Sequence, residues 1–384
     1  MEHYERAIEL NEDSKYVYQN LSYVCFRVGK YQRGVEIGLR GLEREPDNSK
    51  IGVNLAFNYF ILKDYIKCFE YYGHRIIKNR VIDIPAWSGE DLTGKKLLIW
   101  SEQGIGDHYM FAWYFPLLEK LGVECVIETD KRLVPLMQHA FPNFRFFPEE
   151  SLSREELLAE KFDYMTVLAS LGLLFHEQVS AARDAVIADY DNRYTPKKGF
   201  LQCEPEVKTK WKEKVQALGD RPKVGICWRS GFINASRARN CLKPEDMVEI
   251  FRGLPVDVVN LQYSSSEEEL AILKSDPEFH FHHFDDIDLK DDQTQLAGLI
   301  SAMDLLVSHS TAVHSLAGAL GVPTWNFMLS HSELPEPEVH AFAGMFPSVK
   351  YIEGRGNYIQ CVVPIVRKHL ESWLQNRSDE IPKN

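Results

Sequence analysis

The chain has 384 residues, the length of two to three ordinary domains. Hydrophobic residues make up 45% and charged residues 26%, a globular mixture that excludes wholesale disorder and collagen-like structure. The net charge of −12 disfavours a protein that coats nucleic acid, because neutralising phosphates needs an excess of Lys and Arg. No run approaches the roughly 18 apolar residues that span a bilayer, and residues 1–11 lack the apolar core of a signal peptide. We therefore expect neither nucleic acid as a partner nor a membrane span.

The cysteines are odd in number and scattered, and none stands at C-x-x-C spacing from another. This spacing predicts neither a zinc site nor a disulfide framework, and it favours a reducing compartment, the cytoplasm. The seven are Cys25, Cys68, Cys125, Cys203, Cys227, Cys241 and Cys361.

Residues 1–80 repeat with a period of 34. The matching pairs are Leu21 and Leu55, Ser22 and Ala56, Phe26 and Phe60, Tyr31 and Tyr65, and Gly34 and Cys68. Small residues in the second predicted helix, with Pro46 after it, resemble about two and a half tetratricopeptide repeats; generic helical hairpins are the alternative. A segment at 4–14 resembles the second helix alone of a further repeat. Because so short an array is rarely stable alone, it either leans on the next domain or belongs to the tail of a longer protein.

Beyond a linker at 81–94, short apolar strands alternate with helices, which predicts α/β structure. Strands are predicted at 96–100, 125–128, 144–147, 162–168, 223–228, 256–262, 279–284, 304–308 and 324–327. Helices are predicted at 109–121, 132–140, 244–252, 267–273, 293–303, 311–320 and 363–375. A polar stretch with several prolines, at 189–223, separates the two halves.

This order predicts the GT-B architecture: two Rossmann-like domains that face a cleft, preceded by the all-α repeats. The pattern alone equally suits an epimerase or a two-domain binding protein. The predicted segments are the helical repeats at 1–80, an acceptor-side domain at 95–200, a nucleotide-sugar-binding domain at 221–360, and a C-terminal helix and tail at 361–384.

The first motif, Glu-Gln-Gly-Ile-Gly-Asp, follows the first predicted strand and opens a helix. Gly104 and Gly106 let the backbone approach a ligand, and together with Gln103 they are predicted substrate contacts. Tyr109 stands where the dinucleotide fingerprint needs its third glycine. Asp107, in the first helical turn, is a candidate general base for an acceptor hydroxyl; a carboxylate that only favours the helix dipole is the alternative.

The second motif lies where a predicted strand ends at Ser308 and a helix rich in small residues begins. Ligands of open α/β sheets bind outside the carboxyl ends of the strands, and hydroxyls with helix N–H groups suit a diphosphate without a metal. That Ser310 is a helix N-cap is a compatible alternative. The predicted donor-binding residues here are Ser310, Thr311, Ala312, Val313 and His314.

The third motif follows the strand at 223–228 and contains several arginines within an acidic protein. Arginine matches phosphate oxygens with paired N–H groups, so Arg229, Ser230, Arg237 and Arg239 are predicted to bind the donor. A solvated loop is the alternative.

Two further clusters contain residue types that can bind a metal ion. His280 and His282 share one face of a predicted strand and His283 takes the other, but no partner stands at ligand spacing, so we predict edge-strand histidines. Asp291 and Asp292 are predicted as helix N-cap residues. We predict no metal site and no cofactor other than the nucleotide sugar used as substrate.

From Trp87 to about Trp325, the chain resembles bacterial proteins that join tetratricopeptide repeats to a glycosyltransferase domain of the ADP-heptose:lipopolysaccharide heptosyltransferase type. The motifs that carry the resemblance are Trp87-x-Gly89, Leu98-Ile-Trp-Ser-Glu-Gln-Gly-Ile-Gly-Asp107, Val224-Gly-Ile-Cys-Trp-Arg-Ser-Gly231, Asn260-Leu-Gln-Tyr263 and Thr311-Ala-Val-His-Ser-Leu-Ala-Gly-Ala-Leu-Gly321. The resemblance implies Asp107 as the base, residues 310–313 at the donor phosphates, and Gln262 and Tyr263 among the donor contacts.

One position departs from the family. Where Asp-Thr-x-x-x-His is usual, this chain has Ser310 in place of the aspartate, and His314 is displaced by one residue. The aspartate contacts the donor sugar in heptosyltransferases, so the change argues against heptose as the donor. Other family members glycosylate proteins such as flagellin with different activated sugars.

We therefore predict an inverting, metal-independent glycosyltransferase that moves a sugar from a nucleotide-sugar donor to a hydroxyl of a protein or glycan acceptor, with the repeats able to recruit that acceptor. The alternative is a non-catalytic repeat scaffold or nucleotide-sugar-binding protein, in which the degenerate half only senses a nucleotide sugar. An epimerase is disfavoured, because no Tyr-x-x-x-Lys lies on a helix in the right half.

Overall fold

The computed structural model describes residues 2–10, 15–73, 82–101, 104–189, 196–231, 241–329, 343–356 and 358–380. The chain forms two compact units. The first unit comprises Met1–Val134, Phe141–Tyr190 and His331–Met345. The second unit comprises Pro135–Ala140, Asp191–Ser330 and Phe346–Asn384.

The first unit begins with a layer of helices that follow the 34-residue period. They are α1 (Glu2–Leu10), α2 (Lys15–Arg27), α3 (Tyr31–Arg44), α4 (Ser49–Ile61) and α5 (Tyr65–Tyr72). The first residue of α4 comes 34 positions after that of α2, and the first residue of α5 comes 34 positions after that of α3. The repeat in the sequence is thus present as two helix pairs in equivalent positions. Their assignment to the tetratricopeptide class stays a prediction.

Small residues let α3 and α4 pack closely. A Cβ atom added to Gly38 would lie 2.7 Å from the side chain of Leu55, and one added to Gly41 would lie 2.7 Å from Ile51. A larger residue at either position would force these side chains or the helices that carry them to shift, because interiors are close-packed. The small residues seen in the sequence therefore lie on α3, the second helix of the first helix pair.

The helical layer is docked on the rest of the first unit through a buried arginine. Arg183, only 1% exposed, lies on α11 (His176–Ala188). Its Nη1 donates to the carbonyl oxygen of Phe60 at 3.0 Å and to Tyr65 Oη at 3.1 Å, and the guanidinium lies 5.0 Å from the Phe60 ring centre. The short array therefore leans on the domain that follows it, as the sequence suggested. The other suggestion, that the chain is the tail of a longer protein, stays a prediction.

The first unit also contains a parallel sheet in the order β3-β2-β1-β4. Its strands are β1 (Lys96–Trp100), β2 (Glu124–Thr129), β3 (Arg145–Pro148) and β4 (Tyr164–Val167). The helices around them in the sequence are α6 (Ile105–Phe111), α7 (Phe115–Leu121), α8 (Val134–Ala140), α9 (Arg154–Ala159), α10 (Leu171–Leu174) and α11. The single helix predicted at 109–121 is wrong. A short 3-10 turn, Ala112–Tyr114, separates α6 from α7, whose first turn contains a proline that has no N–H to continue the helix.

The second unit holds a parallel sheet in the order β10-β9-β8-β5-β6-β7. Its strands are β5 (Lys223–Cys227), β6 (Asp257–Asn260), β7 (Phe281–His282), β8 (Leu305–Ser308), β9 (Thr324–Leu329) and β10 (Val349–Gly354). Its helices are α12 (Pro205–Gln216), α13 (Pro244–Phe251), α14 (Glu267–Ser275), α15 (Gln293–Ser301), α16 (Ala312–Leu320) and α17 (Val363–Glu380). The buried core contains Trp228 and Trp325, and Val366 and Leu370 of α17 pack into it. The prediction of two α/β halves built on parallel sheets is confirmed.

Elements that the sequence patterns did not predict are α9, α10, α11, α12 and β10. Helix α12 lies inside the polar stretch that was interpreted as a boundary. Its only fully buried side chains are Trp211 and Val215, one turn apart and surrounded by lysines and glutamates, and the Trp211 indole N–H donates to Gln295 Oε1 at 2.9 Å. Because two buried apolar residues are few among so many charged ones, the average composition of this helix resembles that of a linker.

Within the described ranges, no helix is both long and apolar enough to cross a membrane. All seven cysteines lie in described residues and are free thiols, and six of them are buried.

Candidate functional site

The first candidate group is Asp107, at the carboxyl end of the first sheet. Strand β1 lies between β2 and β4, and α6 begins five residues after it, with Gly104 as its N-cap in extended conformation. Asp107 is the third residue of α6 and is half-buried. Its Oδ2 accepts a hydrogen bond from the Gly104 N–H at 3.2 Å. The helix dipole stabilises a negative charge in this turn, so the structural role and the catalytic role predicted for Asp107 are compatible.

The predicted contact Gly106 lies in the same first turn of α6, beside Asp107. Gln103 lies outside the described residues.

Buried polar side chains surround the start of this helix. Ser101 Oγ lies 2.8 Å from both Glu128 Oε1 and Glu149 Oε1, and His108 Nδ1 lies 2.8 Å from Thr129 Oγ1. Glu128 is only 1% exposed. These residues were not among the predicted site residues. The available signal was a glutamate ending an apolar strand, a position where a charged side chain needs a polar partner.

In the second unit, Arg229 follows β5 but its guanidinium is already engaged. Its Nε and Nη2 donate to the two carboxylate oxygens of Glu269 at 2.7 and 2.6 Å, and Nη2 also donates to the Ser264 carbonyl oxygen at 2.9 Å. Hydrogen bonding to Glu269 raises the pKa of Arg229. The geometry gives Arg229 a role in holding the loop, and its predicted contact with phosphate stays a prediction. Arg237 and Arg239 lie outside the described residues.

Gln262 and Tyr263 connect the ends of β5 and β6. Gln262, 1% exposed, accepts the Arg229 backbone N–H at 2.9 Å and donates to the Tyr263 carbonyl oxygen at 2.9 Å. Tyr263 Oη accepts the Gly231 N–H at 3.1 Å, and the tyrosine ring leaves no space for a Cβ at Gly231. Ser230 contributes its carbonyl oxygen to Arg229, at 3.3 Å. This network shapes the loops of the predicted donor site.

Cys227 joins these loops to the next strand. Its sulfur lies 3.5 Å from Gln262 Oε1 and 3.6 Å from Thr311 Oγ1, at the last position of β5. Burial raises the pKa of the Cys227 thiol to about 11, so it remains a neutral thiol at physiological pH. The structure thus brings together predicted residues from three adjacent strand ends.

Helix α16 begins at this edge of the sheet. Its N-cap is Thr311, in extended conformation, so the alternative that Ser310 is the N-cap is wrong. The exposed Ser310 instead donates its hydroxyl to Asn326 Oδ1 at 3.0 Å. His314 Nδ1 lies 2.6 Å from the Thr311 carbonyl oxygen, so the displaced histidine folds back onto the cap. The predicted residues Ala312 and Val313 are the first two residues of the helix.

A cavity of about 490 Å³ borders this network at the carboxyl ends of β6 and β7. Its walls include Gln262, Ser264, His283 and the carboxylates Asp285 and Asp288. Burial lowers the pKa of His283, whose Nδ1 lies 3.0 Å from the amide nitrogen of Asn260. The volume lies within the range of small-molecule pockets. The walls carry three carboxylates, Asp285, Asp286 and Asp288, against one ammonium group, that of Lys290. Because carboxylates accept hydrogen bonds and repel anions, the cavity suits a neutral group with hydroxyls better than a phosphate.

The two clusters considered for metal binding have protein partners. His282 lies on the edge strand β7, and its Nε2 is 3.1 Å from Oδ1 of Asp257. Asp292 caps α15 by accepting the Gln295 N–H at 3.0 Å, whereas the cap role predicted for Asp291 is wrong, since it precedes the N-cap. Among the residues with described positions, no group of three or more His, Cys, Asp or Glu side chains could hold a metal ion.

Comparison with known proteins identifies relatives of this fold. None of the protein-family models matches the chain. Protein FlbA of Caulobacter vibrioides is 35% identical over 254 residues, which cover 64% of this chain but only 41% of FlbA. The chain therefore spans less than half the length of that curated relative.

Two solved structures align with most of the chain. A glycosyl transferase of family 9 from Veillonella parvula has a TM-score of 0.54 and 12% identity, over 75% of this chain and 99% of that one. The ADP-heptose LPS heptosyltransferase II of E. coli has a TM-score of 0.51 and 16% identity, over 74% of this chain and 99% of that one. The chain shares the fold of these glycosyltransferases.

Proposed function

We propose that the chain transfers a sugar from a nucleotide-sugar donor to a hydroxyl group of an acceptor. The observation that carries the proposal is the placement of Asp107 in the first turn of α6, at the carboxyl end of a parallel sheet, in a chain with a glycosyltransferase fold. Carboxyl ends of parallel strands are where α/β proteins bind their ligands.

The second unit would hold the donor. The backbone N–H groups at the start of α16, with the hydroxyls of Ser310 and Thr311, would bind the diphosphate, since a helix N-terminus attracts anions. The nucleoside would occupy the cavity beside Gln262, where the carboxylate walls can accept hydrogen bonds from ribose hydroxyls. This assignment separates the anionic part of the donor from the acidic walls.

Asp107 would act as the general base. Its carboxylate takes the proton of the acceptor hydroxyl while that oxygen bonds to the anomeric carbon, and the bond from this carbon to the diphosphate oxygen breaks. Attack opposite the leaving group inverts the anomeric centre. The charge that develops on the diphosphate is stabilised by the start of α16 and its hydroxyls, so the proposed mechanism uses no metal ion.

The acceptor is proposed to be a protein or glycan recruited by the helical repeats. Supporting this, Arg183 ties α4 and α5 to α11 within the unit that carries Asp107, so an acceptor held by the repeats would stand at a defined position relative to the base. A second candidate function, nucleotide-sugar binding without catalysis, is favoured by one observation: Ser310 replaces the aspartate of the related motif and is bonded to Asn326.

The test is a panel of nucleoside diphosphate sugars: ADP-glucose, UDP-glucose, UDP-N-acetylglucosamine and GDP-mannose. We expect one of them to raise the midpoint of thermal unfolding, because a ligand of the folded state stabilises by mass action. We further expect that sugar nucleotide to be hydrolysed slowly in water, with inversion and with an unchanged rate in EDTA. Binding without hydrolysis or transfer would instead support the second candidate. If none of the panel binds or reacts, the proposed function is wrong.

A further inference from the structure

The last two residues of β2 hold the segment that carries Asp107 from both sides. Glu128 contacts Ser101, which lies six residues before Asp107 in the sequence. Thr129 contacts His108, the residue directly after Asp107. One strand end therefore anchors the chain both where it leaves β1 and where it enters the body of α6.

Both anchors are shielded from water. Ser101 is 4% exposed, Glu128 1%, His108 2% and Thr129 2%. Buried polar groups of this kind are costly to leave without hydrogen bonds, so the contacts resist local opening. Glu149, the first residue after β3, strengthens the first anchor, because its Oε1 also lies 2.8 Å from Ser101 Oγ.

Asp107 is half-buried, and its carboxylate is bonded within its own helical turn, since Oδ2 accepts the Gly104 N–H at 3.2 Å. The carboxylate is therefore placed by the start of α6. A general base must lie within hydrogen-bond reach of the proton that it removes, and a displacement of about 1 Å can cost up to about 100-fold in rate. The position of the Asp107 carboxylate therefore depends on the flanks of its segment.

We propose that Ser101, Glu128, Glu149 and Thr129 are positioning residues for Asp107. They do not touch the substrate; they fix the start of α6 so that the carboxylate is held ready for the acceptor hydroxyl. This inference rests on the proposed function, and it assigns a role to polar side chains that were not among the predicted site residues.

The test compares Thr129→Val, which removes the hydroxyl at nearly constant volume, with Thr129→Ser, which keeps it. The assay is hydrolysis of the nucleotide sugar that reacts fastest in the panel. We expect Thr129→Val and Ser101→Ala to lower kcat about tenfold, with KM and the affinity for the free nucleotide changed less than about twofold. Thr129→Ser should retain most of the rate. Ser151→Ala is the matched control, because its hydroxyl donates only to the Pro148 carbonyl oxygen at the same sheet edge and is exposed.

A double-mutant cycle with Asp107→Asn separates positioning from general support of the fold. If Thr129 acts through Asp107, Thr129→Val causes no further loss in the Asp107→Asn background. An equal tenfold loss in both backgrounds would overturn the proposal, as would wild-type kcat in folded Thr129→Val and Ser101→Ala. If Ser101→Ala fails to fold, the comparison of Thr129→Val with Thr129→Ser and the double-mutant cycle with Asp107→Asn test the proposal. If the wild-type protein hydrolyses no member of the panel, the proposed function itself is wrong, and this inference is wrong with it.

Discussion

The carboxyl edges of the two sheets use their polar side chains in opposite ways. In the first unit, buried side chains hold the backbone around α6, and the half-buried Asp107 carboxylate accepts the Gly104 N–H at 3.2 Å within that helical turn. In the second unit, the side chains that look most suited to a ligand are bonded within the protein, as in the pair of Arg229 with Glu269 and the contact of His314 with the Thr311 carbonyl oxygen.

The difference teaches that a polar motif at a strand end can serve a ligand in two ways. A side chain can itself face the ligand, as we propose for Asp107. It can also bond to another part of the protein and so shape a loop. Backbone N–H groups and hydroxyls then bind the ligand, as we propose at the start of α16. Substitutions at the two edges should therefore differ in which kinetic constant they change.

The largest effect is expected at Asp107. Asp107→Asn should lower turnover by about 100-fold or more and leave the affinity for the nucleotide nearly unchanged, because the amide cannot accept the acceptor proton. Steady-state kinetics together with calorimetric titration of the nucleotide measure the two quantities. Asp91→Asn is the matched control, since Asp91 also accepts a backbone N–H, that of Thr93 at 2.9 Å, but on the exposed surface. Turnover at the wild-type level in Asp107→Asn would remove Asp107 from the mechanism.

A second variant tests the buried contact of Arg183 that holds the helical layer on the rest of the first unit. Arg183→Met should lower the free energy of unfolding by about 2–3 kcal/mol, because the carbonyl oxygen of Phe60 and the hydroxyl of Tyr65 lose a buried charged donor. Urea unfolding measures the loss. Arg33→Met, which removes exposed ion pairs with Glu36 and Glu5, should change stability by less than about 1 kcal/mol. Equal losses in the two variants would contradict the docking role.

In the second unit, Arg229→Ala and Glu269→Ala should weaken nucleotide binding by similar factors, about tenfold each. The reason is that either change releases the same loop, and a charged hydrogen-bonded pair is worth about 1.5–3 kcal/mol. The double variant should then bind no more weakly than either single one. A large loss in Arg229→Ala with none in Glu269→Ala would show instead that Arg229 contacts the phosphate directly.

The smallest effect is a pH dependence of the same pair. Burial alone would raise the pKa of Glu269, but the hydrogen bonds from Arg229 and Ser266 outweigh it, and the pKa is lowered from 4.5. The stability that this pair contributes is therefore present above pH 4.5 and is lost as the pH falls through the lowered pKa. Wild type should exceed Glu269→Gln in unfolding free energy at neutral pH, and the gap should close on acidification. A gap that does not change with pH would contradict the assignment.

Much of the molecule follows from patterns along the chain. The 34-residue period placed α2 to α5, and the short apolar runs placed most strands, because these patterns record which faces must be buried. Glycines at 38 and 41 indicated the close approach of α3 and α4. The patterns failed for α12, where Trp211 and Val215 form a stripe too narrow to stand out among charged residues.

The candidate site divides in the same way. That Asp107 lies in a first helical turn after a strand could be predicted from the glycines before it, since that turn is a local feature. That Arg229 is paired with Glu269, 40 residues away, could not, because either side chain alone is equally suited to water, to phosphate or to an ion pair.

Sequence by itself determined most of the elements, their parallel arrangement and the strand ends at which polar side chains collect, because periodicity and local turn chemistry act over a few residues. Only the tertiary structure decided which of those side chains are bonded to which. Ser101, Glu128 and Thr129 are ordinary residues in the chain, and they meet the segment of Asp107 only because β2 lies beside β1 in the sheet. Hydrogen-bond partners in a buried network are chosen by proximity in space, and proximity is a property of the packed sheet.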